Sequence, residues 1–265
     1  MRVIYMGKNK PVVCEGLEYL LENNVDVAAV VGPPKTDPSL GSERLIDVAN
    51  HYDIPTTTDR ELYAHLKGNT SDPRLNEMVR DIDLVISLLF WRRIRKPLIK
   101  LGNIGCINLH PAPLPEFRGL GGYNACIYES IPFWGVSAHF VDEEFDTGDI
   151  IKVYRFDINP EDETAYSLEQ RSMTFLMELF KEVIDLAVKD GELPRTPQGP
   201  GRYIHMDDFV EMRTIREDED LESIERKIRA FWYPPYGGAS ITVKGKEFTL
   251  VNEDVLRKIG KKYHE

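Results

Sequence analysis

The chain has 265 residues, 42% of them hydrophobic and 29% charged, enough to bury a sizeable core in one large domain or one domain with a small appendage. Its formal net charge of −11 disfavours general nucleic-acid binding, because an acidic surface repels phosphate backbones; the dense basic stretch is Trp91-Arg92-Arg93-Ile94-Arg95-Lys96. No apolar run approaches the roughly 20 residues of a membrane span, and the first ten residues lack the apolar region of a signal peptide, so a cytoplasmic protein without membrane contact is expected.

Val3-Ile4-Tyr5-Met6, short, apolar and β-branched ahead of Gly7, predicts a first strand. Residues 11–21 place Leu17, Leu20 and Leu21 at helical spacing, with Pro11 in the first turn, where its missing N–H costs nothing. Residues 27–31 predict a second buried strand. Ser42 is placed to cap a helix carrying Leu45, Ile46, Val48 and Ala49. The apolar run 84–90 predicts a strand covered on both faces. Residues 106–110 predict another, stopped by Pro111, Pro113 and Pro115. A short helix over 123–128 and strands over 134–140 and 150–156 follow. From 164 to 188, Leu168, Leu176, Leu179, Phe180, Val183, Ile184 and Ala187 fall on one face of a long helix. The alternation of strands and helices implies an α/β fold with a mostly parallel sheet.

Residues 192–203, rich in Pro and Gly, read as a linker. Beyond it come an acidic helix near 221–231 and a hairpin that pairs 239–243 with 247–251 across Lys244-Gly245-Lys246. This small C-terminal helix-plus-hairpin appendage is expected to dock on the main domain. The expected division is a catalytic domain over 1–195 and a subdomain over 204–265. Cys14, Cys106 and Cys126 are widely spaced, form no C-x-x-C pair and read as reduced thiols.

Chemistry concentrates in two segments. Asn108 and His110 lie two apart on a strand and so share a face, at the carboxyl end where open α/β sheets place ligands. They offer a hydrogen-bond donor and a group that can take a proton. Residues 142–149 form an acidic turn, in which Asp146 can sit beside His110 and fix its tautomer. No obvious Ser or Cys nucleophile accompanies them, so the attacking group is expected to belong to a substrate. By spacing alone, a structural histidine and a solvated acidic turn are the commoner readings, and the ligand spacing does not favour a metal.

At these residues the sequence resembles the formyltransferase family that uses 10-formyltetrahydrofolate. The resemblance is carried by Asn108-Leu109-His110-Pro111, Phe117-Arg118-Gly119 and Asp146-Thr147-Gly148-Asp149-Ile150-Ile151. Ser137-Ala138-His139-Phe140-Val141 matches the strand before the acidic loop. The resemblance implies a Rossmann-like sheet. It also implies that Asn108 holds the formyl oxygen as negative charge develops, that His110 stabilises that state and takes the amine proton, and that Asp146 orients His110. Formyl transfer passes through a tetrahedral carbon, whose barrier is lowered by aimed donors and a nearby base. A folate pocket is implied too, walled by Ser87, Leu88, Leu89, Phe90, Trp91 and Arg92 and by the loop with Asp142 and Phe145. For Leu88 and Leu89, simple core packing is the reading without the resemblance.

Acceptors in the family are methionyl-tRNA, glycinamide ribonucleotide or a nucleotide-linked amino sugar. Residues 113–124 and 231–239 look most like the sugar N-formyltransferases, which implies a place in surface-polysaccharide (O-antigen, lipopolysaccharide) synthesis. Gly119, Gly121 and Gly122, ahead of Tyr123, allow close backbone approach to an acceptor. Arg118 can meet a phosphate or sugar oxygen, or form a loop salt bridge. Trp232, Tyr233 and Tyr236 can stack on a nucleotide base or anchor the tail. Residues 205–265 hold eleven Lys+Arg and thirteen Asp+Glu, a net −2 that suits tRNA poorly. The first loop, Gly7-Lys8-Asn9-Lys10-Pro11, has one glycine where the glycinamide enzyme is Gly-rich. A folate-binding regulator without activity and a hydrolase releasing formate are the readings from other classes. The hairpin and aromatic tail could form a homodimer contact.

Overall fold

The computed structural model describes residues 1–33 and 44–257; Ser42, expected as a helix cap, lies outside them. The first half runs β1 (Arg2–Gly7), α1 (Pro11–Glu22), β2 (Asp26–Val31), α2 (Leu45–His51), β3 (Thr56–Thr57), α3 (Asp59–Leu66), α4 (Pro73–Met78), β4 (Leu84–Leu88) and β5 (Gly105–His110). The second runs β6 (Arg118–Gly119), α5 (Gly122–Tyr128), β7 (Phe133–Phe140), β8 (Ile150–Asp157) and α6 (Ala165–Asp190). The tail adds β9 (Tyr203–Ile204), α7 (Met206–Arg213), α8 (Leu221–Phe231), β10 (Ser240–Val243) and β11 (Lys246–Thr249).

Seven strands form one sheet in the order β3-β2-β1-β4-β5-β7-β8. The pairings from β3 to β5 are parallel, and β7 and β8 continue the sheet antiparallel. The expected α/β architecture is therefore present, with its topological switch between β1 and β4. The central strands are apolar throughout because helices cover both faces. Tyr5, Leu109 and Val136 pack with Leu17 of α1 and Phe180 and Ile184 of α6. On the opposite face Ile4, Met6, Val85 and Cys106 pack with Leu62 of α3 and Leu75 and Met78 of α4. The three cysteines are buried and none of them is in a disulfide.

α6 matches the one-face pattern. It starts in a capping box of Thr164 and Ser167 and ends at Gly191, whose φ of 71° suits a residue without Cβ. A third cluster joins Phe117, Ala125 and Trp134 to Met212, Ile228, Phe231 and Ala239 of the tail, so the appendage docks by sharing a core.

Four expectations need correction. The strand over 84–90 stops at Leu88, because Leu89 turns the chain with φ 55°. β3, α3, α4, β6, β9 and α7 were not expected; they are short and bury few apolar residues. The linker over 192–203 is not free of pairing: Thr196 bridges Ile150, and Tyr203 starts a strand that pairs with β6. The hairpin turn is Lys244-Gly245 alone, with φ of 51° and 76°, the two-residue turn whose twist matches that of its strands. Lys246 therefore belongs to β11. Among the described residues no helix is long and apolar enough to cross a membrane.

Candidate active site

β5 ends with Ile107 and Leu109 in the core and Asn108 and His110 on the opposite face. Because β7 runs antiparallel to β5, its register sets His139 directly across from Asn108. The loop between β7 and β8 returns Asp146 to the same place, with φ 56°. Asp146 Oδ1 lies 3.7 Å from His110 Nδ1 and 3.7 Å from His139 Nε2, and Asp146 Oδ2 accepts from Gly119 N–H at 3.1 Å.

The hydrogen bonds fix orientations. His139 Nδ1 lies 2.8 Å from the Phe140 carbonyl, which only accepts, so Nδ1 carries the proton and Nε2 is a lone pair. That lone pair accepts from Asn108 Nδ2 at 3.2 Å, while Ser87 Oγ donates to Asn108 Oδ1 at 2.7 Å. The Asn108 amide is thus held from both ends. His139 is 2% exposed; burial above all, then the nearby His110, pushes its imidazole down to about 4, against the pull of Asp146. His110 Nε2 lies 3.1 Å from the Phe117 carbonyl and therefore donates to it, which leaves His110 Nδ1 as the proton acceptor facing Asp146. The expectation that Asp146 fixes this tautomer needs correction, since the Phe117 carbonyl does so. At 3.7 Å the Asp146 carboxylate sits beyond hydrogen-bond distance but close enough to stabilise an imidazolium.

A cavity of about 80 Å³ opens beside Asn108, His139 and Asp146, lined also by Ser87, Phe90, Arg92, Arg93, Ile94, Val141, Asp142, Glu144 and Phe145; His110 stands behind Asp146 and does not line it. Its apolar wall with a few polar edges suits a flat heterocycle, and the buried Arg93 Nε there has no hydrogen-bond partner. It is far smaller than the roughly 300 Å³ of a common ligand pocket. The loops over it are joined by ion pairs, Lys96 with Glu143 and Arg93 with Glu144 at 3.5 Å, and Arg93 lies over the Phe145 ring. A ligand of pterin size therefore has to part them. A larger groove, about 710 Å³, lies beyond the C-terminal end of α6 around Asp190 and Arg195, and contains none of these residues.

Not every expected wall residue reaches the cavity. Leu88 is fully buried among the α1 and α6 side chains, and Leu89 packs against that cluster. Trp91 is exposed, tilted against Phe90 with Arg92 over its ring, while Arg92 pairs with Asp59 at 2.9 Å. Asp142 does line the cavity, with its carboxylate engaged by its own loop, accepting from Thr147 Oγ1 at 2.7 Å and Glu144 N–H at 3.1 Å.

On the other side, Arg118 donates to Gln198 Oε1 and the Gly199 carbonyl. Gly119 and Gly121 have φ of 85° and 64°, and a Cβ at Gly122 would meet the Trp134 ring at 2.9 Å. Tyr123 stands 5.2 Å from Trp134, ring to ring. Tyr233 donates to Glu169, which pairs with Lys10 at 2.5 Å, and the Trp232 carbonyl accepts from Tyr166 N–H. Tyr233 therefore anchors through its hydroxyl, and Trp232 through its main chain and by packing against the cluster that holds Ile228 and Phe231. His139 and Gln198 were missed as site residues; the signal for His139 was its place in the strand before the acidic turn. Among the described residues no group of three or more His, Cys, Asp or Glu side chains could hold a metal ion.

Residues 3–184 match the family described as Formyl transferase. The methionyl-tRNA formyltransferase of Geobacter metallireducens is 27% identical, over 98% of this chain and 82% of its own length. The GDP-perosamine N-formyltransferase of Brucella melitensis is 32% identical, over 68% of each chain. Among solved structures, the Helicobacter canadensis N-formyltransferase in complex with folinic acid and dTDP-3-aminofucose has a TM-score of 0.71 at 22% identity, over 92% of this chain and 84% of that one. A 4-N formyltransferase from Francisella tularensis has a TM-score of 0.75 at 20% identity, over 95% and 96%. These two likenesses show the fold.

Proposed function

The chain belongs to the formyl transferase family, and from that membership we propose that it moves a formyl group from 10-formyltetrahydrofolate to the amine of a nucleotide-linked amino sugar. The observation that carries the reading is the meeting of Asn108, His110 and Asp146 at the end of β5, beside a cavity with one apolar wall. The donor supplies an activated formyl carbon; Ser87, Phe90, Ile94 and Phe145 would hold its ring system.

In this reading Asn108 presents one Nδ2–H to the formyl oxygen while His139 takes the other, so the donor is aimed before charge develops. The neutral amine attacks the formyl carbon and a C–N bond forms. His110 Nδ1 accepts the amine proton and returns it to the donor nitrogen as the oxygen's electron pair re-forms the C=O bond and the bond from the formyl carbon to that nitrogen breaks. Asp146, 3.7 Å from His110 Nδ1, faces the imidazole while it carries the proton. Catalysis is placed in residues 1–195, with 204–265 as the acceptor-side appendage.

For an amino-sugar acceptor, the Brucella relative and the net −2 of residues 205–265 count in favour. A methionyl-tRNA acceptor is the second reading, favoured by the Geobacter relative that aligns over 98% of the chain. Incubation with the formyl donor and each acceptor in turn separates them. A formyl mass gain on an amino-sugar nucleotide is the expected result, and gain on methionyl-tRNA alone would replace the reading. His110→Ala and Asp146→Asn should each lower kcat by about a hundredfold or more with circular dichroism unchanged. Near-normal rates in both would remove the assignment.

A further inference from the structure

We infer that Gln198 is a positioning residue for this chemistry: its side-chain amide holds the turn that carries Asp146 and fastens it to β6. The inference rests on the role proposed above for Asp146.

Gln198 Nε2 donates to the Asp146 carbonyl at 3.1 Å and the Gly148 carbonyl at 2.6 Å, bracketing Thr147. Its Oε1 accepts from Arg118 Nε at 3.2 Å and Nη2 at 2.8 Å. Both N–H groups and the oxygen are thus used on two segments that share no strand pairing with each other. Within the loop Thr147 Oγ1 bonds Asp142, but the carbonyls on either side of Thr147 are held from outside, by Gln198. Asp146 has a left-handed backbone, which a residue with a Cβ adopts at some cost. Gly148 already lies so close to β7 that a Cβ there would meet the Phe140 carbonyl oxygen at 2.0 Å, so the turn cannot relax in that direction. Gln198 holds its free side.

The same contacts aim the carboxylate. Gly119 N–H, on β6, holds Asp146 Oδ2, and this turns Oδ1 towards His110. β6 is itself pinned by Arg118 N–H to the Arg202 carbonyl, four residues beyond Gln198. Residues 196–204 therefore form a strap between acceptor loop and catalytic turn, and Gln198 is its buckle.

The test is a double-mutant cycle with Asp146→Asn, reading kcat, both KM values and melting temperature. Gln198→Leu should lower kcat tenfold to a hundredfold, because misplacement of a catalytic group by about 1 Å costs that much, with the donor KM within about twofold of the original. Gln198→Glu keeps an oxygen for Arg118 but offers no N–H to the two carbonyls, so it should fall as far as Gln198→Leu. In Asp146→Asn, adding Gln198→Leu should cost less than about threefold more, since both changes remove one function. A normal kcat in Gln198→Glu, or fully multiplicative losses in the cycle, would overturn the inference while leaving Asp146 in its role. A normal rate in Asp146→Asn would remove both.

Discussion

His139 is buried, neutral and surrounded by His110, Asp146 and Asn108, and that placement has a thermodynamic consequence. In an unfolded chain a histidine takes its proton near pH 6.5, whereas the folded protein resists until about 4. Between those values the unfolded state binds more protons. The stability contribution is complete above about pH 6.5 and is lost as pH falls towards 4, to a total on the order of 3 kcal/mol. Urea unfolding at pH 7.5 and pH 4.5 should show the loss, and His139→Gln should flatten it. An unchanged pH dependence in the variant would assign the effect to carboxylates instead. Legibility in the sequence follows from the same physics. Asn108 and His110 could be read because a spacing of two puts side chains on one face of any strand. His139 could not be assigned a role, because its membership depends on β7 pairing with β5 in one particular antiparallel register. Gln198 gave no signal at all, since its whole contribution is made to main-chain groups 50 and 52 residues away and to an arginine 80 away.

Single elements show the same divide. α6 was legible because eleven of its side chains, from Ala165 to Ala187, are buried, and they recur on one helical face. Its start depends on Thr164, whose hydroxyl accepts the Ser167 N–H at 3.1 Å while Ser167 Oγ takes the Thr164 N–H at 2.8 Å. Thr164→Ala should cost about 1 kcal/mol in denaturant unfolding, and Thr164→Ser should restore most of it. Equal stability of the alanine and serine variants would mean the cap contributes nothing. α3 and α4 were missed because periodicity rewards buried faces and these helices bury only Leu62, Leu75 and Met78. Capping chemistry was the better signal there: Thr58 and Glu61 form a full box ahead of α3.

For the molecule as a whole, the shared cluster of Trp134, Phe117, Ile228 and Phe231 decides whether the tail is separable. Removing residues 205–265 would strip Met212, Ile228 and Phe231 from this cluster and uncover the faces of α5 and α6 on which α8 packs, at roughly 1.5–3 kcal/mol for each large side chain uncovered. The shortened chain should melt at least several degrees lower and bind hydrophobic dyes; unchanged melting would make the tail a passenger. The prolines and glycines of residues 192–203 suggested a linker, but the dependence across it was not legible, because it needs the packing of α8 on α5 and α6. The antiparallel pairing of β5 with β7 also divides the site by resilience. Asn108, the amide proposed to bind the oxygen, and His139 are bolted together by the sheet ladder, whereas Asp146 hangs on a strapped turn. Gentle warming or dilute urea would silence proton handling first. A protein that had stopped turning over could then still grip an inert mimic of the charged oxygen.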